Sequence, residues 1–266
     1  MTTYEELLSM EHDRIIDFFK DAKLYESQFK YSEFNAECYD AMYLYNSQDN
    51  IKTVKALKEE IENLKPTCKK CGNYFMNPRN NSVKKYDVML GKLLEDVIID
   101  FLKKKYKLNV THGDNINKKY PDCMLLSGDK GILAYFEVKY HGAPFISAIQ
   151  KIGRYCYEGS ATLDFDKLIK QIEIIESDID RPVFYLHWID YPCLKGIFFE
   201  TSDQVKNELF VQGELFERKE RSGDFDNLGK KKGYTKKFYS KLLEMGTFDE
   251  LIEIFLDMKK NGVVMN

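Results

Sequence analysis

Three side chains within one short stretch have the types and spacing to do chemistry together. Tyr120-Pro-Asp122 precedes an apolar run, Ile132-Leu-Ala-Tyr-Phe-Glu-Val-Lys-Tyr140, that is interrupted by two opposite charges. Side chains alternate along a strand, so Leu133, Tyr135, Glu137 and Lys139 share one face, and Ile132, Ala134, Phe136 and Val138 share the other. An acid and a base therefore stand side by side on a strand otherwise suited to burial, where charge is costly unless paired or holding a metal. Gly128-Asp-Lys-Gly131 has the composition of a four-residue hairpin loop. That loop sets Ser127 opposite Ile132 and, counting back, Asp122 opposite Glu137. Carboxylates on directly opposed residues, with Cβ atoms about 5 Å apart, repel by about 3 kcal/mol at an effective dielectric of about 20. Such a pair shares a proton or holds a cation, and Lys139 beside it favours two ionised acids and hence the cation. A five-residue loop would turn Asp122 to the opposite face unless a bulge intervened.

Two acids and a lysine around a hard divalent ion suit hydrolysis of a phosphodiester. The ion polarises the phosphate and lowers the pKa of an attacking water. Lys139 orients that water or stabilises charge developing on the phosphorus oxygens. A third acid, Glu95, falls on an upstream helix at the edge of its apolar stripe, with Gly91, Ile98 and Leu102. Asp96 and Asp100 fall with Lys92 and Lys103 on the wet side. Gly91, one turn before Glu95, leaves room for close approach. The bland alternative is a surface salt bridge between Glu137 and Lys139, with Asp122 in an unrelated turn.

Pro121-Asp122, fourteen intervening residues and then Glu137-Val-Lys139, preceded by a helix bearing Glu95, resembles the PD-(D/E)xK nuclease superfamily. That superfamily includes many type II restriction endonucleases. The resemblance covers about residues 83–200 and implies a restriction-endonuclease-like α/β fold, a mixed sheet flanked by helices. It also implies Mg2+-dependent cleavage of double-stranded DNA, with Mn2+ able to substitute. Asp122 and Glu137 would be metal ligands, Lys139 would assist the water and Glu95 would be an accessory acid. A site-specific type II restriction endonuclease, prokaryotic or phage-encoded, is the first expectation, because no helicase or ATPase accompanies the core. Cutting both strands calls for two active sites, hence a homodimer. A structure-specific or end-processing nuclease of repair, phage or defence is the second expectation. A non-catalytic zinc- and nucleic-acid-binding module is the third. An exonuclease-like branch of the superfamily carries Gln-x-x-x-Tyr on the next helix. Here Gln150 is followed by Arg154 and then Tyr155, one residue out of step, and Gln150, Lys151 and Arg154 form a polar face able to meet a phosphate.

The elements that must position these residues follow from periodicity. A long amphipathic helix runs from Val83 to about Tyr106, with Tyr86, Leu90, Leu93, Leu94, Val97, Phe101 and Leu102 on its apolar side. Strands are expected at Leu108 to Thr111, Tyr120 to Ser127 and Ile132 to Tyr140, then helices at 143–157 and 164–177. Two further strands, Pro182 to Ile189 and Leu194 to Thr201, flank a turn at Asp190-Tyr-Pro192. Helix, three strands, helix, strand is the order of a mixed α/β sheet. Residues 1–82 read as a helical N-terminal region opened by a capping box, Thr3-Tyr-Glu-Glu6, and including an apolar stripe from Ile51 to Leu64 that Pro66 ends. Residues 83–202 form the core. Residues 203–266 read as mainly helical, with a second capping box at Thr247-Phe-Asp-Glu250.

Composition narrows the classes. Of 266 residues 44% are apolar, with 18 Tyr and 18 Phe, enough for a substantial core and too many for general disorder. No apolar stretch approaches the ~20 residues of a membrane span, and the acidic N-terminus has no signal-like run. Six cysteines are too few for a disulfide scaffold, so a reducing cytoplasm is the natural reading. The net charge of −3 conceals a partition, with residues 1–64 acidic on balance and residues 65–125 basic. A second basic run contains Lys230, Lys231, Lys232, Lys236 and Lys237 interleaved with Tyr234, Phe238 and Tyr239, which suits contact with DNA backbone and bases; solvated loops would also explain it. Thr67-Cys-Lys-Lys-Cys-Gly72 has half of a zinc ribbon in Cys68 and Cys71, with only His12 and His112 as distant candidates to complete a structural Zn2+ site. His141 lies close to Lys139, and a satisfied core or edge role is its plainer reading. His187 sits in an apolar strand as a packed residue.

Overall fold

The computed structural model describes residues 2–25, 59, 84–113, 115, 117, 119–129, 131–142, 148–153, 161–191, 194–212, 215–220, 224–225, 228–231, 233 and 235–261. In chain order these hold α1 (Thr3–Tyr25), α2 (Lys84–Tyr106), β1 (Asn109–His112), β2 (Cys123–Leu126), β3 (Ile132–His141) and α3 (Ala148–Ile152). There follow β4 (Thr162–Asp164), α4 (Phe165–Asp178), β5 (Val183–Tyr191), β6 (Leu194–Thr201) and α5 (Ser202–Gln212). The last elements are β7 (Leu215–Glu217), β8 (Lys236–Tyr239), β9 (Gly246–Thr247) and α6 (Phe248–Asn261). A six-stranded sheet of order β1-β2-β3-β5-β6-β9 lies at the centre. β3 and β5 run parallel and every other neighbouring pair runs antiparallel. The mixed α/β architecture expected from the order of elements is therefore present.

Alternation along β3, β5 and β6 gives this sheet two unlike faces. Ala134, Phe136 and Val138 of β3, Phe184, Leu186 and Trp188 of β5, and Ile197 and Phe199 of β6 pack into one large apolar cluster. α2 closes that cluster with Leu94, Val97, Ile98, Phe101 and Leu102, and α6 with Leu251, Phe255 and Met258. The Phe255 ring lies 5.6 Å from those of both Phe136 and Phe184, within the range where aromatic pairs attract. α1 joins the same cluster through Tyr4, Leu7 and Ile15. Among the described residues no helix is long and apolar enough to cross a membrane.

The hairpin differs from expectation at its tip and agrees with it at its base. Ser127 N–H donates to Gly131 O at 2.8 Å, so Ser127 faces Gly131 rather than Ile132. The register then shifts, with Leu126 opposite Ile132 but Leu125 opposite Ala134. Leu133 is thus an extra residue on β3, a β-bulge that returns the two strands to the counted phase. Cys123 consequently faces Phe136, and one more step brings Asp122 level with Glu137. The bulge also inverts the expected faces of the first two residues. Leu133 joins the cluster of Ala134 and Phe136, and Ile132 packs with Met124 and Tyr135.

One other expectation is corrected and one is extended. The first capping box is Thr2 with Glu5, one residue earlier than Thr3 with Glu6. Thr2 N–H donates to Glu5 Oε2 at 2.7 Å, and Glu5 N–H donates to Thr2 Oγ1 at 3.2 Å. The Thr3 hydroxyl instead donates to Asp249 on α6. Residues 203–266 hold α5 and α6, as expected of a mainly helical region, and also strands that the expectation lacked: β7 and β8 pair with β4 in a second, three-stranded antiparallel sheet. Lysines obscure that pattern, because Lys236 and Lys237 are half-buried while Phe238 and Tyr239 are buried, and a long aliphatic stem can lie along a sheet with its charge outside. The second capping box stands as read, with Thr247 N–H donating to Glu250 Oε2 at 2.7 Å and Glu250 N–H donating to Thr247 Oγ1 at 3.3 Å.

Candidate active site

Each of the two acids, Asp122 and Glu137, accepts from the backbone of the other's segment. Asp122 N–H donates to Glu137 Oε2 at 3.2 Å, and Val138 N–H donates to Asp122 Oδ2 at 3.0 Å. Gly113 fixes the approach to Asp122 from β1. Its N–H donates to Asp122 O at 2.9 Å, and a Cβ there would lie 2.5 Å from Pro121 O, so no larger residue fits unmoved. Lys139 projects from the same face of β3 as Glu137. Its ammonium contacts Glu137 Oε1 and lies 3.9 Å from Asp122 Oδ2. The three residues singled out from the sequence therefore form one cluster.

Helix α4 supplies two more partners that sequence reasoning missed. Lys167 Nζ donates to Glu137 Oε1 at 2.8 Å, and Gln171 Nε2, one turn later, donates to Glu137 Oε2 at 3.0 Å. Tyr185 of β5 donates its hydroxyl proton to Gln171 Oε1 at 3.0 Å. A carboxylate with 1% exposure thus has both oxygens held. A signal was present in the sequence, because Gln171 falls in the apolar stripe Leu168, Ile172, Ile175 of an amphipathic helix, where a polar residue needs a buried partner.

These contacts determine the electrostatics. Burial alone would push the Glu137 carboxyl up, but Lys139 and Lys167 outweigh it and hold the group well below the usual carboxylate range. Burial likewise opposes the charged form of Lys139, and Glu137 and Asp122 reverse that, holding its ammonium above the ordinary lysine range. Lys139 therefore stays an ammonium, a hydrogen-bond donor and not a base. Asp122 is pushed up, first by burial and then by the charge of Glu137. Glu95 of α2 responds to the same groups. Burial, then Asp122, pushes its carboxyl up to about 7, with smaller effects from Lys139 and Glu137. Glu95 Oε2 lies 3.7 Å from Nδ1 of His112, whose Nε2 lies 2.8 Å from Asp96 Oδ1.

Asp122 and Glu137 are hard oxygen donors suited to a divalent cation. Among the described residues no group of three or more His, Cys, Asp or Glu is arranged to close around a metal. A cation here would rest on two carboxylates and complete its shell with water and substrate oxygens, which is the habit of Mg2+ rather than of a caged ion.

The remaining candidates lie elsewhere. Gln150 is exposed on the short helix α3, and it is α4 that presents a glutamine to the acids. Arg154, Lys232, Cys68 and Cys71 lie outside the described residues, as does the stripe from Ile51 to Leu64. Lys230 and Lys231 are exposed, and Lys231 pairs with Glu220 at 2.7 Å. Lys236 Nζ lies 4.6 Å from the centre of the Phe165 ring, and Lys237 pairs with Asp164. His12 is exposed beside Asp13. His187 is fully buried but is more than packing. Its Nε2 lies 2.9 Å from Glu200 Oε1, its Nδ1 lies 3.0 Å from His141 Nε2, and Ser240 Oγ donates to the same Glu200 oxygen at 2.6 Å.

No protein-family model matches the chain, and no curated protein matches it. Among solved structures, the chain is similar to a nuclease from a fusselovirus at 14% identity, over 66% of this chain and 92% of that one, with a TM-score of 0.37. At that score the likeness carries no argument, and a functional reading rests on the side chains of the site.

Proposed function

We propose that the protein is a divalent-metal-dependent nuclease that hydrolyses phosphodiester bonds of double-stranded DNA, in the manner of the PD-(D/E)xK enzymes. One observation carries this reading: Asp122, Glu137 and Lys139 meet at one point, with Glu95 close enough for its ionisation to feel all three. Asp122 and Glu137 would hold the ion, Mg2+ or Mn2+ in its place. When bound, such an ion polarises the phosphate and makes water a better nucleophile near neutral pH. The rest belongs to the chain. Lys139, firmly protonated, donates to oxygen as negative charge builds on the phosphate. Gln171 and Tyr185 fix the plane of the Glu137 carboxylate. Glu95, whose carboxyl is pushed up by burial and by Asp122, would serve as an accessory acid beside the pair.

The finer form of the proposal is a site-specific restriction endonuclease acting as a homodimer. Incubating the protein with a mixed-sequence supercoiled plasmid and with a linear duplex, each with Mg2+, with Mn2+ and with EDTA, tests both levels. The expected result is Mg2+-dependent cleavage of both substrates into discrete bands. Smears or loss from the ends would turn the reading to an end-processing or structure-specific nuclease. Intact DNA in every Mg2+ and Mn2+ reaction would overturn it and leave a binding module.

A further inference from the structure

Glu137 Oε1 receives two ammonium groups, and the two lysines are not equivalent. Lys139 arises two residues along the same strand, and its ammonium lies between Glu137 and Asp122. Lys167 comes from the surface of α4, its side chain is 47% exposed, and it reaches the carboxylate from outside. One carboxylate oxygen cannot serve two ammonium groups and a divalent cation together, because like charges at contact distance repel strongly in a partly buried site. Lys167 is the group with room to leave. Its departure costs the carboxylate little order, because Gln171 holds Oε2 and is itself held by Tyr185. A half-exposed ammonium at the rim of a phosphodiester-cleaving site has one natural partner, a non-bridging phosphate oxygen. At the same end of α4, Lys236 of β8 lies over the Phe165 ring, and the neighbouring Lys237 pairs with Asp164.

We infer that Lys167 is a phosphate-binding residue of the site, resting on Glu137 until a cation claims that oxygen and then passing to the DNA backbone. This rests on the nuclease reading and adds a substrate-binding role to a residue outside the acid pair and its lysine. The two stages have opposite signatures, which makes the inference testable without cleavage. Lys167→Gln and Lys167→Arg proteins are compared with wild type in two titrations. One is calorimetric titration of Mg2+ without DNA. The other is binding of a DNA duplex across a salt series in Ca2+.

Without DNA, Lys167→Gln is expected to bind Mg2+ several-fold more tightly than wild type, because a competitor is gone. With DNA it is expected to bind about tenfold more weakly, with a log–log salt slope shallower by about one, the signature of a lost phosphate contact. Lys167→Arg keeps the slope. An unchanged slope in Lys167→Gln, with metal binding tightened, would make Lys167 only a counter-charge and overturn the inference. If Lys167→Gln unfolds, an unchanged slope in Lys167→Met overturns it equally. Wild type that leaves DNA intact in the Mg2+ and Mn2+ cleavage reactions would instead sink the nuclease reading, and this inference with it.

Discussion

The two faces of the six-stranded sheet are built from the same strands and obey opposite rules. On one face Phe136, Val138, Phe184, Leu186, Trp188, Ile197 and Phe199 meet α1, α2 and α6 with no charge among them. On the other, Glu137, Lys139, His141, Tyr185, His187 and Glu200 stand at alternate positions of those strands, and nearly every one is buried. The first face is apolar over this stretch, and where the same alternation reaches Asp190 and Lys195 at the end of β5 and β6, the two charges pair with one another and Tyr140 donates to Asp190. The second holds together only because each charge has a partner: Glu137 with two lysines and a glutamine, and Glu200 with a histidine and a serine. Period-two alternation lets one sheet place a rigid hydrophobic foundation directly beneath a set of reactive groups. Stability and chemistry can then be perturbed separately.

That separation can be broken or sharpened by experiment. The largest effect is expected on the polar face: Asp122→Asn should lower the rate of DNA cleavage by about 1000-fold or more while the protein still melts cooperatively. Single-turnover rates beside a thermal melt check both halves. A variant that cleaves at half the wild-type rate would remove Asp122 from the site. Next comes the apolar face. Phe184→Ala removes a ring packed on Phe199 and Phe255 and should cost about 3–5 kcal/mol of stability in denaturant unfolding. At a temperature where it remains folded, its cleavage rate per native molecule should match wild type. Loss of activity without loss of stability would contradict the division between the faces.

The smallest effect is the pH dependence of stability. The Glu95 carboxyl is raised from its ordinary 4.5 to about 7, so the folded state prefers the protonated form. Its stabilising contribution is complete below the ordinary value and is lost as pH rises through about 7. Asp122 shifts in the same direction. Glu137 shifts in the other, contributing above its ordinary range and losing that only in acid. In EDTA the thermal midpoint should therefore fall between about pH 5 and about pH 8, and Glu95→Gln should flatten part of that fall. Equal slopes in the two proteins would take Glu95 away from the acids.

Much of this was legible because strand alternation and hairpin counting are local. The run from Ala134 to Lys139 sorts onto its two faces as read, Asp122 comes level with Glu137, and Glu95 of the long helix feels the charge of Asp122. What was illegible depends on elements distant in the chain. Nothing in the sequence near Glu137 announces Lys167 and Gln171, because a helix face meets a strand only after a parallel crossover has been made. β4 and β8 are three and four residues long and lie more than seventy residues apart, too short for a periodicity to show and too far apart for a hairpin rule. The Thr2 and Glu5 cap was misplaced by one because Thr3 and Glu6 repeat the same pattern one step later. Only the tertiary contact with Asp249 decides between them.

The extra residue at Leu133 sets the length tolerance of the hairpin. It separates the tip, where Ser127 meets Gly131, from the base, where the acids meet, so the two ends of one ribbon keep independent reading frames. A residue gained or lost at the turn can be absorbed at this slip joint before it travels down to Asp122 and Glu137. A peptide grafted at the outer end of the ribbon should therefore leave the reactive carboxylates in step.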